Sequence, residues 1–286
     1  MYRIVKKEAL NPTVTMMEIE APLVAAKAQA GQFIILRTDA DGERIPLTVA
    51  GYDREAGTVR IIFQVVGATT FLLNQKEVGD DHADFVGPLG EPTALDGLSD
   101  VLIVGGGVGC AIALPIAERL RELGARVTSV IGFRSKELVI LEKEFSSASD
   151  SLTVMTDDGS HGRAGNVCLP IGEMLGEGRR FDKVIAIGPL VMMKFVVAAV
   201  KPYDIPCTVS MNPIMIDGTG MCGGCRLTLH EEGKAVTKFA CVDGPDFDGY
   251  AVDFDEAMSR ASMYRDFERH RYEEACNLFK TEREAH

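Results

Sequence analysis

The sequence lacks the excess of positive charge that nucleic-acid-binding proteins carry. Its 286 residues include 30 Lys and Arg against 42 Asp and Glu, which gives a formal net charge of −12 at pH 7. Binding to nucleic acid or to anionic lipid draws on lysine and arginine, so we expect neither partner. The share of hydrophobic residues, 46%, is that of an ordinary globular protein, and the length predicts two domains.

Long apolar runs are also missing. The longest charge-free apolar stretch, residues 101–117, is interrupted by glycines and by Pro115 and is too short to span a bilayer. Residues 1–7 lack the apolar run and small-residue cleavage site of a signal peptide. We therefore expect a cytoplasmic protein without a membrane segment. In such a reducing compartment, seven unevenly spaced cysteines are more typical of metal ligands or unpaired thiols than of a disulfide framework.

Two sequence textures follow each other along the chain. Residues 2–86 form short alternating runs broken by glycine, proline and asparagine, which predicts a small antiparallel β-barrel with one helix at residues 69–75. From residue 101 onward, buried runs alternate with helical patterns, one of them at residues 135–145, which predicts a doubly wound α/β sheet. The predicted divisions are a barrel at 1–98, an α/β domain at 99–211, a cysteine-rich loop at 212–250 and a helical tail at 251–286.

A run of glycines marks the point where the first buried strand of the α/β region turns into a helix. Its members are Gly105, Gly106, Gly107, Val108 and Gly109. Glycines at such a turn let backbone N–H groups approach a pyrophosphate, so the context predicts dinucleotide binding. Cys110 stands where a strict Gly-x-Gly-x-x-Gly pattern has its last glycine. Past the second strand, Arg134 and Lys136 either bind a 2′-phosphate or are ordinary surface charges; we expect NAD(H) rather than NADP(H) and leave both open.

Three cysteines in the cysteine-rich loop have the spacing of an iron-sulfur site. Cys222 and Cys225 are separated by two glycines, and Cys241 follows 16 residues later. A plant-type 2Fe-2S loop has four residues between its first two ligands, and this interval puts Asp217 in the first ligand position. The many glycines of the segment fit a loop that wraps tightly around a cluster and aims N–H groups at its sulfurs. The sequence predicts a 2Fe-2S cluster on Asp217, Cys222, Cys225 and Cys241.

A zinc site is the alternative for the same segment. Three cysteines together with Asp217 or His230 would also supply four zinc ligands. The interval before Cys222 and the glycine density favour the bridging cluster. The remaining cysteines, which have no such spacing and are interpreted as core or surface thiols, are Cys110, Cys168, Cys207 and Cys276.

The order of barrel, nucleotide-binding sheet and cysteine loop resembles the ferredoxin reductase superfamily. Over essentially the whole chain the sequence is similar to the dihydroorotate dehydrogenase electron-transfer subunits and, more closely, to the small subunits of NADH-dependent reduced ferredoxin:NADP oxidoreductases. The resemblance implies an FAD-binding β-barrel, an NAD(P)-binding α/β domain and a small C-terminal 2Fe-2S subdomain. It also suggests that Asp217 separates the bifurcating relatives from the all-cysteine orotate subunits.

The same resemblance implies which residues bind the cofactors. For FAD they are Arg44, Pro46, Leu47, Thr48, Ile62, Phe63, Gln64, Gly67, Thr69 and Thr70, with Thr48 placed to hydrogen-bond the isoalloxazine. For the pyridine nucleotide they are the glycine run together with Arg134, Asp157, Gly188 and Pro189. We expect no separate catalytic acid–base pair.

The function that the resemblance implies is electron transfer. A nicotinamide would pass hydride to FAD, and the flavin would pass single electrons to the 2Fe-2S cluster. The electrons would leave to a larger flavin and iron-sulfur subunit in a heterodimer, reaching ferredoxin indirectly, as in flavin-based bifurcation. The alternatives are an electron-transfer subunit of dihydroorotate dehydrogenase and, from a different class, a zinc-stabilised nucleotide-binding regulator.

Overall fold

The first part of the chain forms one antiparallel sheet that is nearly closed into a barrel. The computed structural model describes residues 2–284, with side chains as far as residue 277. The barrel strands are β1 (Tyr2–Asn11), β2 (Val14–Glu20), β3 (Phe33–Arg37), β4 (Arg44–Asp53), β5 (Thr58–Gln64), β6 (Asp81–His82) and β7 (Asp84–Leu89). They are ordered β6-β1-β2-β5-β4-β3-β7, which confirms the predicted barrel.

Two of the barrel strands are buried on both faces. In β5, Ile61 and Phe63 point into the barrel core, whereas Ile62 lies in a second core shared with the α/β region. In β2, Met17 and Met16 divide in the same way. Because consecutive side chains of a strand point to opposite faces, these unbroken apolar runs indicate where the barrel is covered by the rest of the molecule.

The second sheet is parallel except at one edge. Its strands are β8 (Asp100–Gly106), β9 (Arg126–Phe133), β10 (Ser151–Thr156), β11 (Arg163–Ala164), β12 (Lys183–Ile187), β13 (Cys207–Ser210) and β16 (Asp246–Asp248). They are ordered β11-β10-β9-β8-β12-β13-β16, and β16 runs antiparallel to β13. The chain therefore winds outward from β8 in both directions, which confirms the predicted doubly wound α/β arrangement. Between β13 and β16, strands β14 (Arg226–Glu231) and β15 (Lys234–Phe239) form a separate hairpin.

Eight α-helices are described, most of them beside the second sheet. They are α1 (Pro22–Ala25), α2 (Ala68–Gln75), α3 (Cys110–Glu122), α4 (Glu142–Ala148), α5 (Cys168–Gly176), α6 (Leu190–Val200), α7 (Phe254–Ser262) and α8 (Arg265–Glu284). Within residues 2–284, no helix is both long and apolar enough to cross a membrane.

The cysteine-rich segment has no core of its own. Its buried side chains Cys225, Leu227 and Cys241 belong to the same hydrophobic cluster as one face of the parallel sheet, and Phe33 and Ile35 of the barrel join that cluster. The segment is therefore wedged between the two sheets. Strand β16 lies inside the loop predicted at 212–250 and pairs with the second sheet. The exact domain boundaries stay a prediction.

One predicted helix is wrong over most of its length. Residues 135–145 contain a single 3-10 turn at Lys136–Leu138, and an α-helix starts only at Glu142. Between them Leu141 adopts a left-handed backbone conformation (φ 59°), which no continuous right-handed helix can contain. The helix α5 was not predicted at all.

The C-terminal tail is helical, as predicted, and reaches the barrel. Asp253 caps α7 by accepting a hydrogen bond from the Glu256 N–H (2.9 Å), and α8 then packs against α2. The contact includes an edge-to-face pair between Phe71 and Tyr272, with ring centroids 5.8 Å apart. Residues 285 and 286 of the predicted tail lie outside the described residues.

Candidate functional site

The barrel strand β4 presents the first group of predicted FAD residues. Its pairing with β3 is unbroken from Phe33 opposite Thr48 to Arg37 opposite Arg44, so Arg44, Pro46 and Thr48 share one face of the strand. All residues from 44 to 48 are half-buried. Arg44 Nη1 lies 3.7 Å from Asp84 Oδ2, while its buried Nε has no hydrogen-bond partner among the described residues.

The second group of FAD residues surrounds the start of α2. The Thr70 hydroxyl accepts hydrogen bonds from the Val66 and Gly67 N–H groups and donates one to the Gly67 carbonyl, each at 3.0 Å. This ties the loop to the first turn of the helix. Thr69 is buried and donates instead to Glu43 Oε2 (3.1 Å), an acidic residue that the sequence reasoning did not single out.

The strand leading to α2 contributes little side-chain surface. Ile62 and Phe63 are 8% and 2% exposed and belong to hydrophobic cores, so their side chains are packing residues. Gln64, at the end of β5, is half-buried. The unpartnered Arg44 Nε and the positive end of the α2 dipole are both suited to an anionic pyrophosphate, so this part of the barrel fits a flavin dinucleotide.

The predicted dinucleotide residues meet at the centre of the second sheet. Strand β8 ends at Gly106, residues 107–109 form a 3-10 turn, and α3 begins at Cys110. The end of β12 lies directly beside this loop, because Gly105 pairs with Ile187. A Cβ built on Gly188 would lie 3.1 Å from the Cα of Gly106. This is the carboxyl edge of the sheet where the winding direction reverses, the usual position of a nucleotide crevice.

The loops after β9 and β10 are tied together farther along the same edge. Backbone N–H groups of Asp157 and Asp158 donate to the carbonyls of Phe133 and Arg134, at 3.0 and 3.3 Å. Ser160 Oγ accepts a hydrogen bond of 2.7 Å from the Lys136 N–H. Arg134 and Asp157 are exposed at this edge, and their role in dinucleotide binding stays a prediction.

A shallow cavity in this region brings in residues that the sequence did not reveal. It is lined by Lys136, by residues 139–144 and by His161, and His161 Nε2 lies 2.8 Å from Glu142 Oε2. The sequence carried no signal for this pair, because the two residues are 19 positions apart and a whole strand and its turn lie between them. It places a carboxylate in the same cavity as Lys136, which follows the end of β9 by three residues.

The cysteine loop is built on left-handed glycines. Gly218, Gly220 and Gly223 have φ values of 76°, 85° and 67°, a region that other residues rarely adopt. A Cβ on Gly218 would also come within 2.7 Å of Leu89 and 2.9 Å of Ile35. The loop therefore turns tightly while its backbone rests on the barrel.

The four predicted cluster ligands come together as two pairs. The Cys222 thiol donates to Asp217 Oδ1 (3.4 Å), and the Cys225 thiol donates to Cys241 Sγ (3.1 Å). The first pair is solvent-accessible, whereas Cys225 and Cys241 are buried. Among the side chains that the structure describes, which end at residue 277, no three of His, Cys, Asp or Glu are grouped closely enough to hold a single metal ion. Two pairs of donors are what two irons of a binuclear cluster need, so the donor set fits that group.

Backbone N–H groups surround the accessible pair, Asp217 and Cys222. Asp217 Oδ2 accepts from the N–H groups of Met221 (3.0 Å) and Cys222 (3.1 Å), and the Gly224 N–H points at Cys222 Sγ (3.4 Å). Desolvation alone would raise the pKa of Asp217, but the hydrogen bonds from Thr219 and Cys222 hold it below its ordinary value. The carboxylate is therefore ionised and available as a ligand at neutral pH.

The buried pair has the opposite electrostatics. Burial, followed by the neighbouring Cys225 thiol, raises the pKa of Cys241 above its ordinary value. Binding iron requires the thiolate, so the metal must displace a firmly held proton at this position. His230, the alternative zinc ligand, is engaged elsewhere: its Nε2 lies 3.1 Å from Asp253 Oδ2.

Comparison with known proteins identifies the family in which this arrangement occurs. Residues 212–253 match the iron-sulfur cluster binding domain of dihydroorotate dehydrogenase B. A Thermotoga maritima protein, described as a dihydroorotate dehydrogenase B (NAD(+)) electron transfer subunit homolog, is 46% identical, with 94% of each chain covered. The Streptococcus pneumoniae electron transfer subunit of that enzyme is 32% identical over 86% of this chain and 94% of its own. The chain belongs to the family of dihydroorotate dehydrogenase B electron-transfer subunits.

A solved structure adds a second comparison within this family's fold. A chain of the NADH-dependent reduced ferredoxin-NADP oxidoreductase, described for flavin-based electron bifurcation, superposes with a TM-score of 0.89 and 43% identity. The alignment covers 96% of this chain and 97% of that chain. As a member of the electron-transfer subunit family with this fold, the protein is an oxidoreductase subunit of the ferredoxin-reductase type, with the family's iron-sulfur binding domain at its C-terminal side.

Proposed function

We propose that this chain is an electron-transfer flavoprotein subunit that carries electrons between NAD(H), FAD and a 2Fe-2S cluster and delivers them to a larger partner subunit. The observation that carries the proposal is the pairing of Asp217 with Cys222 and of Cys225 with Cys241 inside the segment that matches an iron-sulfur binding domain. The likeness to the ferredoxin-NADP oxidoreductase chain favours flavin-based bifurcation over dihydroorotate oxidation as the setting.

The residues of this chain bind and orient; the bound groups carry the redox chemistry. When bound, FAD exchanges two electrons with a nicotinamide and single electrons with an iron-sulfur cluster. Arg44 and the first turn of α2 would hold the flavin pyrophosphate, and Thr48, on the same strand face as Arg44, would hydrogen-bond the ring system. Gly105, the rest of the glycine loop and Gly188 would let the pyridine nucleotide approach the sheet edge closely.

The nicotinamide cofactor is proposed to be NAD(H). Rossmann-type sites bind the free ribose hydroxyls of NAD with an acidic residue near the second strand, whereas a cation accommodates the phosphate of NADP. Glu142, hydrogen-bonded to His161 in the cavity that Lys136 also lines, would serve as this acidic residue. Comparing the rates at which NADH and NADPH reduce the bound flavin tests this part separately.

A partner subunit is proposed to dock beside the accessible pair of ligands. Large apolar side chains are exposed around the cysteine loop: Met221 is 89% exposed, Ile216 53% and Val242 47%. Exposed apolar residues next to an electron-transfer site indicate a protein interface. The relatives are named as electron-transfer subunits, which supports a heteromer. A cytoplasmic location and the full set of cofactor-binding residues stay predictions.

An anaerobic visible spectrum with iron, sulfide and zinc analysis of the purified chain tests the proposal. We expect flavin bands together with two irons and two sulfides per chain. Zinc without flavin would instead support a nucleotide-binding regulator. A partner that copurifies and oxidises dihydroorotate would move the chain to the orotate setting, and fast reduction of ferredoxin or NADP by the chain alone would refute the need for a partner.

A further inference from the structure

The cysteine loop is contacted from outside by one cationic side chain. Arg260 lies in the last turn of α7, and its Nη2 donates a hydrogen bond to the carbonyl of Gly224 at 3.3 Å. Gly224 is the second of the two glycines between the predicted ligands Cys222 and Cys225, and its own N–H points at Cys222 Sγ (3.4 Å). A single residue of the loop thus joins the guanidinium to the sulfur side of the site.

No acidic residue of α7 forms an ion pair with Arg260, although Glu256 precedes it by one turn on the same helix. Asp253 is engaged in capping α7 and in the contact with His230, and Asp255 Oδ1 is bound to Lys194 Nζ at 2.6 Å. Among the ion pairs of the described residues, none includes Arg260. The side chain is half-buried, so solvent screens its charge less than that of a fully exposed arginine.

A cation at this position acts differently on the two redox states of a cluster. Reduction adds one negative charge to the iron-sulfur group, so a fixed positive charge nearby stabilises the reduced form more than the oxidised form. The protein sets cluster potentials through net charge, hydrogen bonds to sulfur and solvent exposure. Arg260 supplies charge, and through Gly224 it also fixes the peptide whose N–H faces Cys222.

We propose that Arg260 is a positioning residue of the cysteine loop whose charge raises the reduction potential of the cluster. This rests on the proposed function, because it requires a 2Fe-2S cluster on the four ligands. Arg260 touches no ligand atom and acts through the loop carbonyl and through space. The tail helix α7 therefore takes part in setting the driving force for electron transfer, besides packing on the α/β region.

The test is a redox titration of the reduced cluster signal by electron paramagnetic resonance. Wild type is compared with Arg260→Gln, which removes the charge but keeps a donor, and with Arg260→Lys, which keeps the charge. Arg119→Gln is the matched control, since it changes net charge equally at an exposed site on α3 where Arg119 pairs with Glu122. Iron and sulfide are measured for every variant.

We expect Arg260→Gln to lower the potential so that the ratio of reduced to oxidised cluster at a fixed poise falls about tenfold, equivalent to about 59 mV for one electron. Arg260→Lys and Arg119→Gln should stay near wild type. Equal potentials in all four proteins, or equal shifts in both glutamine variants, would overturn the inference. If Arg260→Gln holds no iron, Arg260→Lys decides alone: lost iron or a lowered potential overturns the charge argument. Wild-type protein without iron would refute the proposed function instead.

Discussion

Gly109 offers the sharpest test of the dinucleotide crevice, because only space requires a glycine there. Its backbone angles, φ −59° and ψ −21°, suit any residue. A Cβ at this position would, however, lie 2.5 Å from the Ile187 carbonyl oxygen and 2.7 Å from the Gly188 Cα. Both are backbone atoms at the end of β12 and no side-chain rotation relieves the contact. Gly109→Ala must therefore push the glycine loop away from β12 until the first distance exceeds 3.0 Å.

The expected consequence is a loss of both stability and nucleotide affinity. Overpacking of this kind costs about 1–3 kcal/mol. Binding needs the loop at its original distance from β12, so the cost falls on the nucleotide-bound state. Since about 1.4 kcal/mol corresponds to tenfold in an equilibrium constant, we expect NADH to bind about tenfold more weakly or worse. Gly172→Ala is the matched control: it lies in the same domain within α5, its Cβ would meet nothing within 4 Å, and alanine should raise helix stability by up to about 1 kcal/mol.

The measurements are urea unfolding and NADH titration by fluorescence, with flavin and iron contents as a check on the other sites. Those contents should not change, because the residues predicted to bind FAD and iron lie in the barrel and in the cysteine loop. Unfolding midpoints and NADH affinities that are the same for Gly109→Ala and Gly172→Ala would refute the close-approach argument for this loop.

Substitutions at three further residues address other parts of the molecule. Asp217→Cys should retain the cluster but change its visible spectrum and potential, and an unchanged signal would remove Asp217 from the ligand set. Tyr272→Ala removes the ring that packs on Phe71 of α2, a contact worth about 0.5–1.5 kcal/mol beyond burial. Because the first turn of α2 is proposed to hold the flavin pyrophosphate, FAD should dissociate several-fold faster from this variant, whereas Tyr272→Phe should match wild type. Equal FAD dissociation rates in all three proteins would contradict this. Burial, aided by Lys76, lowers the pKa of His82 from 6.5 to about 4. The unfolded chain therefore binds the proton first, so stability should be full above pH 6.5 and fall towards pH 4, by up to about 3 kcal/mol. His82→Leu should flatten that dependence in unfolding experiments, and parallel pH profiles would count against it.

The architecture was predictable where the burial of side chains determines both the residue pattern and the secondary structure. The strand before Gly105 is a continuous run of apolar residues, and the helix after it has apolar residues at helical spacing. The order of strand, loop and helix could therefore be inferred from the local sequence. Helix α5 could not, because Pro170, Gly172 and Gly176 give a nine-residue helix the composition of a turn. The break at Leu141 was equally hidden, since nothing in a run of valine, isoleucine and leucine signals a left-handed residue.

In the candidate site, too, contacts between residues close in sequence were predictable and contacts between distant segments were not. Spacing alone placed Asp217 next to Cys222, and the structure brings their side chains within 3.4 Å, although the ligand role of Asp217 stays a prediction. Contacts between distant segments had no such signal. The pairing of Glu142 with His161 and the approach of Arg260 to Gly224 depend on how separate elements pack, and no short pattern contains both partners.

The cysteine-rich segment leaves and re-enters the second sheet at one place. Strand β13 ends at Ser210, and β16 begins opposite it, with Ser210 paired to Asp246. The two ends of the cysteine-rich segment are thus held side by side by an ordinary strand pair. The pairing of β13 with β16, and not binding of the cluster, therefore offsets the entropy lost when the loop closes. A segment attached at this sheet edge leaves the order of the strands around the nucleotide crevice unchanged. Protein engineers could use the same junction to exchange the segment for one with a different metal centre.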